Sequence, residues 1–194
     1  MKNKHDIINR IIQDVGAVNY IEIGYGDGAN FNLIECSSKK AVDPCLESKI
    51  ANKNLGIYID NVDSDTFYKE NNEDWATHDV VFIDGDHTAE QVRKDIVNAM
   101  KCNAKAIVLH DVIPHSKEMQ EVPRNTKVWT GNCWRSVVGF IESYPDVNVV
   151  TYRADYGLTV IYPNGKKVKK HFENMEMTYE AFKKNEVELL NIID

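Results

Sequence analysis

Five short apolar runs limit what this chain can fold into: "YIEIG" (residues 20–24), "AVD" (41–43), "LGIYID" (55–60), "DVVFIDGD" (79–86) and "KAIVLHDV" (105–112). Each reads as a short buried strand, and the stretch between one run and the next can hold a helix. Strands reached through such crossovers pair in parallel, so the pattern predicts an α/β fold: a Rossmann-like, doubly wound sheet of five parallel strands in three αβα layers. Ahead of the first run, Ile7, Ile8, Ile11, Ile12 and Val15 recur at helical spacing, with Asp6 placed to cap the helix and Gly16 to end it. The clearest crossover helix runs from Thr88 to about Lys101, where Val92, Ile96, Val97 and Met100 share a face and Thr88 with Gln91 has the spacing of a capping box.

After the fifth run the rhythm changes. Residues 112–132 contain two prolines and no periodicity, which predicts a long loop of the kind that usually carries function. A helix over 132–144 follows, then "VNVVTY" and "GLTVIY", joined by the short turn "RADY" and therefore expected to form an antiparallel hairpin. In the tail, Ala181, Phe182, Val187, Leu189, Leu190 and Ile193 form a helix-like pattern over 178–193. No repeat or linker divides the 194 residues, so the expectation is one domain: a packing helix over 1–16, a core over 18–162 and a helical tail over 163–194.

Composition serves mainly to exclude. A net charge of −7 argues against a nucleic-acid-binding face, and the one basic run, Lys166 to Lys170, reads as a solvated turn. Cys36, Cys45, Cys102 and Cys133 have no C-x-x-C spacing, which suggests neither a zinc site nor a disulfide framework and fits a reducing cytoplasm. The opening "MKNKHDIINRIIQDVG" is too interrupted by charge for a signal peptide or a membrane span.

The turn after the first run, "GYGDGANF", sets Gly24, Gly26 and Gly28 at alternate positions, a shape that lets a ligand lie against bare backbone. Two ligands compete for it. Gly24, Gly26 and Ala29 satisfy the dinucleotide pattern G-x-G-x-x-G/A, with Asp43 about where a ribose-binding acid belongs. Against a pyrophosphate stand Glu22 before the turn, Asp27 within it, and a following segment, "ANFNLIECSS", that would make only a short polar helix. S-adenosylmethionine carries an ammonium, a sulfonium and a ribose but no phosphate, and suits an acidic turn better.

Taken in order, "EIGYGDG", "VDP", "VVFIDGDH" and "IVLHDV" resemble the class I S-adenosylmethionine-dependent methyltransferases over residues 18–162. The later "GNCWRSV" and "DYGLTVI" are similar to segments of small-molecule O-methyltransferases of the sugar- and macrolide-tailoring type. The resemblance implies that Gly24, Gly26 and Gly28 receive the methionine portion, that Glu22 supports it, and that Asp43 binds the ribose hydroxyls. By position, Asp63 and Ser64 fall near adenine, although an Asp in a turn commonly bonds its own backbone.

"FIDGDH" and "LHD" end adjacent strands, where open α/β sheets bind ligands, so Asp84, Asp86, His87, His110 and Asp111 should converge. Carboxylates crowded into one cleft repel unless a cation lies among them; oxygen ligands suit Mg2+, with Mn2+ favoured by an imidazole. Likeness to metal-dependent O-methyltransferases implies Asp84, next to the cofactor, and Asp111 as ligands. His110 stands where those enzymes carry an acid and is the candidate third ligand. His87 is the candidate general base, because the resemblance places a histidine there and imidazole titrates near working pH. The purely structural alternative makes Asp86 and His87 caps of the following helix. Trp129 borders the loop, Trp134 is expected in the core, and Arg124 and Arg135 are candidates for an anionic acceptor. The expected reaction is O-methylation of a sugar or other small polyol with S-adenosylmethionine and a divalent ion, in the cytoplasm, by a chain that could form a homo-oligomer. Two rivals stay open here: an NAD(P)-dependent oxidoreductase, and a non-catalytic binding protein of the same fold.

Overall fold

Strands β1 (Asn19–Ile23), β2 (Ser38–Val42), β3 (Ile57–Asp60), β4 (Val80–Ile83) and β5 (Ala106–Leu109) lie parallel, as the alternation predicts. The computed structural model describes residues 3–45, 57–70, 78–144, 146–164 and 177–193. The basic run at 166–170 and the first two residues of "LGIYID" lie outside them. Two further strands, β6 (Asn148–Tyr152) and β7 (Leu158–Tyr162), form the expected antiparallel hairpin, with β7 inserted between β5 and β6. A two-residue strand, β8 (Ile192–Ile193), pairs in parallel with β6 and completes the order β3-β2-β1-β4-β5-β7-β6-β8.

Among the described residues the sheet is covered unequally. Helices α2 (Ser64–Glu70), α3 (Ala89–Lys101), α4 (Cys133–Ser143) and α5 (Tyr179–Leu189) supply one face, where Phe67, Val92, Ile96, Val137, Phe140 and Phe182 pack on Ile21, Val81, Ile107 and Ile161. Helix α1 (Lys4–Asp14) covers the other, laying Ile7, Ile8, Ile11 and Ile12 against Tyr20, Phe82, Val108 and Val160 with help from Phe31 and Ile34. Among the described residues no helix is long and apolar enough to cross a membrane.

Four local expectations need correction. The cap of α1 is Asn3, while Asp6 lies one turn in and accepts from the Asn3 N–H at 3.2 Å. Segment 29–38 holds only a single 3-10 turn, Phe31–Leu33: Phe31 and Ile34 pack in the core, but Leu33 is exposed and the polar residues around them do not continue an apolar face. The capping box at α3 is half made: the Thr88 hydroxyl accepts from Gln91 N–H at 3.4 Å, but the Gln91 side chain turns away to Ser64, Asp65 and Asp95. The tail helix stops at Leu189, since Asn191 takes a left-handed φ of 49° and redirects Ile193 into β8.

Candidate active site

Strands β1, β2, β4 and β5 end on the same side of the sheet, and their carboxyl ends carry the polar residues singled out above. After β1 the chain turns at Gly24, whose φ is 92° and where a Cβ would come within 2.2 Å of the Asp84 carbonyl oxygen. Only glycine lets the two strand ends meet this closely. Asp43, just past β2, steadies the turn: one carboxylate oxygen accepts from the N–H groups of Tyr25 and Gly26, both at 3.0 Å, and the other from Cys45 N–H at 2.8 Å. Of the roughly four lone-pair positions on a carboxylate, about one is left to face a ligand.

A cleft of about 1040 Å³ opens beside this turn. Its walls include Gly24, Gly26, Asp43, Asp63, Ser64 and Asp84, six of the eight residues expected to hold a cofactor. Glu22 and Gly28 are not among its walls. Glu22 points into the core under the turn, where it accepts from the Tyr20 hydroxyl at 2.6 Å and from Asn30 Nδ2 at 2.9 Å. Burial pushes its carboxyl up to about 7, against the opposing hydrogen bonds of Tyr20 and Asn30. Asp63 caps α2 by accepting from Thr66 N–H at 2.7 Å. The Ser64 hydroxyl accepts from Gln91 Nε2 at 3.1 Å, so Gln91 ties this wall to α3.

The cleft is acidic. Among the described residues Asp43, Asp63, Asp65, Asp84 and Asp86 line it, against a single arginine, Arg124. That arginine, from the long loop over 112–132, lies 5.9 Å from the Trp129 ring and donates to the carbonyls of Thr126 and Lys127. The loop also contributes Val122, Pro123 and Trp129 to the cleft wall. Arg135 lies elsewhere, over the Trp134 ring in a groove between α3 and α4. Trp134 is in the core, fully buried and stacked on Phe182.

The two histidines and two aspartates do converge, around Asp84; of the four only Asp84 is on the cleft wall, and His87, His110 and Asp111 lie behind it, outside the lining. Asp84 Oδ1 is 3.1 Å from His110 Nδ1 and 3.4 Å from His87 Nε2. Asp111 reaches both rings as well, with Oδ1 3.4 Å from His110 Nδ1 and Oδ2 3.3 Å from His87 Nδ1. It does so from a left-handed φ of 58°, an uncommon conformation for any residue but glycine, and one seen at functional sites. His87 Nδ1 is also 3.2 Å from the Trp129 carbonyl, and its ring stacks on the Trp129 indole at 5.3 Å. The backbone behind His87 is held by Gly131, with φ 57°, where a Cβ would sit 1.9 Å from the His87 carbonyl oxygen.

Two residues in this cluster carried no signal in the sequence. Lys4, on the first turn of α1, places Nζ 3.0 Å from Asp84 Oδ2. Asp155, in the β6–β7 turn, lies with Oδ2 3.1 Å from His110 Nε2. Burial would raise the Asp84 carboxyl, but His110 first, and then His87 and Lys4, hold it well below the usual carboxylate range. Burial would likewise lower His110, yet Asp111, Asp155 and Asp84 together raise it well above an ordinary imidazole. Three carboxylates thus meet three basic groups, so the cluster can be neutral through protons and Lys4 alone.

The same atoms also suit a metal. Ligand atoms of Asp84, His110 and Asp111 all lie within 4.8 Å of one another, whereas ligands about 2.1 Å from an octahedral ion stand roughly 3 Å apart. Two carboxylate oxygens and an imidazole nitrogen fit Mn2+ more readily than Mg2+.

The sequence matches no protein-family model and no curated protein. Solved structures do share its architecture. An O-methyltransferase from Bacillus cereus in complex with SAH is 14% identical with a TM-score of 0.57, over 82% of this chain and 80% of its own. TomG from Streptomyces achromogenes, an O-methyltransferase involved in tomaymycin synthesis and solved with SAM, is 11% identical with a TM-score of 0.58, over 84% of this chain and 80% of its own. MycE, from the mycinamycin biosynthetic pathway and in complex with Mg, SAH and mycinamycin VI, is 13% identical with a TM-score of 0.55; the match takes in 89% of this chain but 51% of MycE. The chain has the fold of the class I S-adenosylmethionine-dependent O-methyltransferases.

Proposed function

We propose that the protein is an S-adenosylmethionine-dependent O-methyltransferase acting on a hydroxyl of a sugar or other small polyol, with a divalent ion at Asp84, His110 and Asp111. The observation that carries the reading is the charge of the cleft: among the described residues, five aspartates and one arginine around a glycine turn. Such a wall repels the pyrophosphate of a dinucleotide and favours a ligand with an ammonium and a sulfonium. Neighbours of the same fold bind SAH or SAM.

In this reading Gly24 and Gly26 pass the methionine portion along bare backbone, Asp43 offers its remaining lone pair to a ribose hydroxyl, and Asp63 and Ser64 border the base. S-adenosylmethionine supplies an electrophilic methyl group on sulfur, open to in-line attack by an acceptor oxygen. A divalent ion held by Asp84, His110 and Asp111 would lower the pKa of an acceptor hydroxyl and orient it. His87, fixed by Trp129 and Asp111, takes the hydroxyl proton, and Trp129 walls the acceptor from water. Four free cysteines and a soluble small-molecule acceptor fit a cytoplasmic setting.

Transfer of a labelled methyl group to a panel of sugars, polyols and sugar nucleotides, run with Mn2+, Mg2+ or EDTA, tests this. Labelled product that depends on the ion is expected. Binding of SAH without transfer to any hydroxyl acceptor would leave a binding protein of this fold.

A further inference from the structure

Asp155 comes to the site from outside the parallel sheet, on the turn between β6 and β7. The turn is closed by Gly157 N–H donating to Ala154 O at 2.8 Å, and it is fastened to the strand-end segment after β5 by Ile113 N–H donating to Tyr156 O at 2.7 Å. Asp155 itself is held at a φ of 54°. From there its carboxylate reaches His110 Nε2 at 3.1 Å, while Nδ1 of the same ring faces Asp84 and Asp111 at 3.1 and 3.4 Å. One imidazole therefore spans the distance between the hairpin and the gap where the ion would lie.

We propose that Asp155 is a positioning residue for the metal: by accepting the Nε2 proton of His110 it fixes the ring so that the Nδ1 lone pair faces the gap between Asp84 and Asp111. The proposal rests on the metal reading above. A histidine that ligates through one nitrogen is commonly held through the other by a carboxylate, which sets its tautomer and strengthens it as a donor. Here the carboxylate comes from an antiparallel hairpin added to the parallel core, so the hairpin has a part in the chemistry as well as in completing the sheet. If Asp155 only fastened the hairpin, its loss would lower stability and leave metal affinity alone.

The test is the affinity of the full chain for Mn2+, read as free Mn2+ by electron paramagnetic resonance, beside a calorimetric titration of SAH. Asp155→Ala should weaken Mn2+ binding by roughly 10- to 100-fold with SAH affinity unchanged. Asp155→Asn keeps the shape and tolerates the left-handed backbone, but offers a neutral acceptor; it should lose several-fold, and it decides the matter if the alanine variant does not fold. On a His110→Ala background, Asp155→Asn should have no further effect on Mn2+. Wild-type Mn2+ affinity in the Asp155 variants would overturn the proposal and leave the metal in place. A wild-type chain that binds SAH but no Mn2+ would overturn the metal reading and this proposal together, with the methyltransferase reading intact.

Discussion

Glu22 directs its carboxylate to Tyr20 and Asn30, and burial pushes it up to about 7. The folded protein therefore keeps a proton that the unfolded chain releases near pH 4, so this group lowers stability as pH rises from about 4 to about 7 and changes nothing above that. Glu22→Gln should remove the loss, on the order of 3 kcal/mol. Urea unfolding at pH 5 and pH 8 checks it, through the difference between mutant and wild type. His110 adds its own decline toward high pH in both proteins, since its raised imidazole stabilises the fold while protonated. An equal pH dependence in the two proteins would contradict the assignment. His87 gives the second residue-scale prediction. Burial would lower its ring, but Asp84 and Asp111 raise it in the chain without an ion; an ion held by those two carboxylates would offset that rise. His87→Ala should cost about 10² to 10⁴ in kcat with SAH affinity nearly intact. In the wild type, kcat should fall toward acid pH as the His87 ring takes up a proton; a profile flat from pH 5 to pH 8 would remove His87 from the proton transfer. His87, His110, Asp84 and Asp111 were legible because each ends a strand or follows its turn. Lys4 and Asp155 were not: one is an ordinary polar position of an amphipathic helix and the other an ordinary turn aspartate, and only the tertiary fold brings them to His110 and Asp84.

Strand β2 shows why elements are harder to bound than to detect. The apolar run begins at Ala41, but the strand begins at Ser38, because Lys39 is drawn in by the carbonyls of Phe31 and Ile34, to which its Nζ donates at 2.8 and 3.0 Å. A lysine so placed gives no apolar signal. The parallel strands, the α3 crossover and the hairpin were legible from periodicity, while β8 depends on pairing with β6 over two residues and has no local signature. The long loop earned its functional reading through its prolines and missing period, and the structure makes it a wall of the cleft. Its join to α4 carries the element-scale prediction. Gly131→Ala would drive a methyl group into the His87 carbonyl from a left-handed backbone, so Tm should fall by several degrees, equivalent to about 1 to 3 kcal/mol. Unchanged Tm would mean that the loop yields freely there and does not fix His87.

Across the whole molecule, the unequal covering of the sheet and the placement of charge serve the same end. The four described helices of one face leave the carboxyl edge of β1, β2 and β4 open as a cleft, and α1, the only described α-helix on the other face, sends Lys4 across to Asp84. A chain of net charge −7 gathers five of its aspartates on that cleft. The most direct measurement is a calorimetric titration of SAH, with NAD+ as comparator, into the wild type and Asp43→Ala. Removing a carboxylate that holds the glycine turn, and in the proposed reading also accepts from a ribose hydroxyl, should cost about 1.5 to 3 kcal/mol, which is roughly ten- to a hundredfold in Kd. The account predicts saturable binding of SAH, none of NAD+, and that loss in the variant. Binding of NAD+ in preference to SAH, or an SAH affinity unmoved in a folded Asp43→Ala chain, would contradict it.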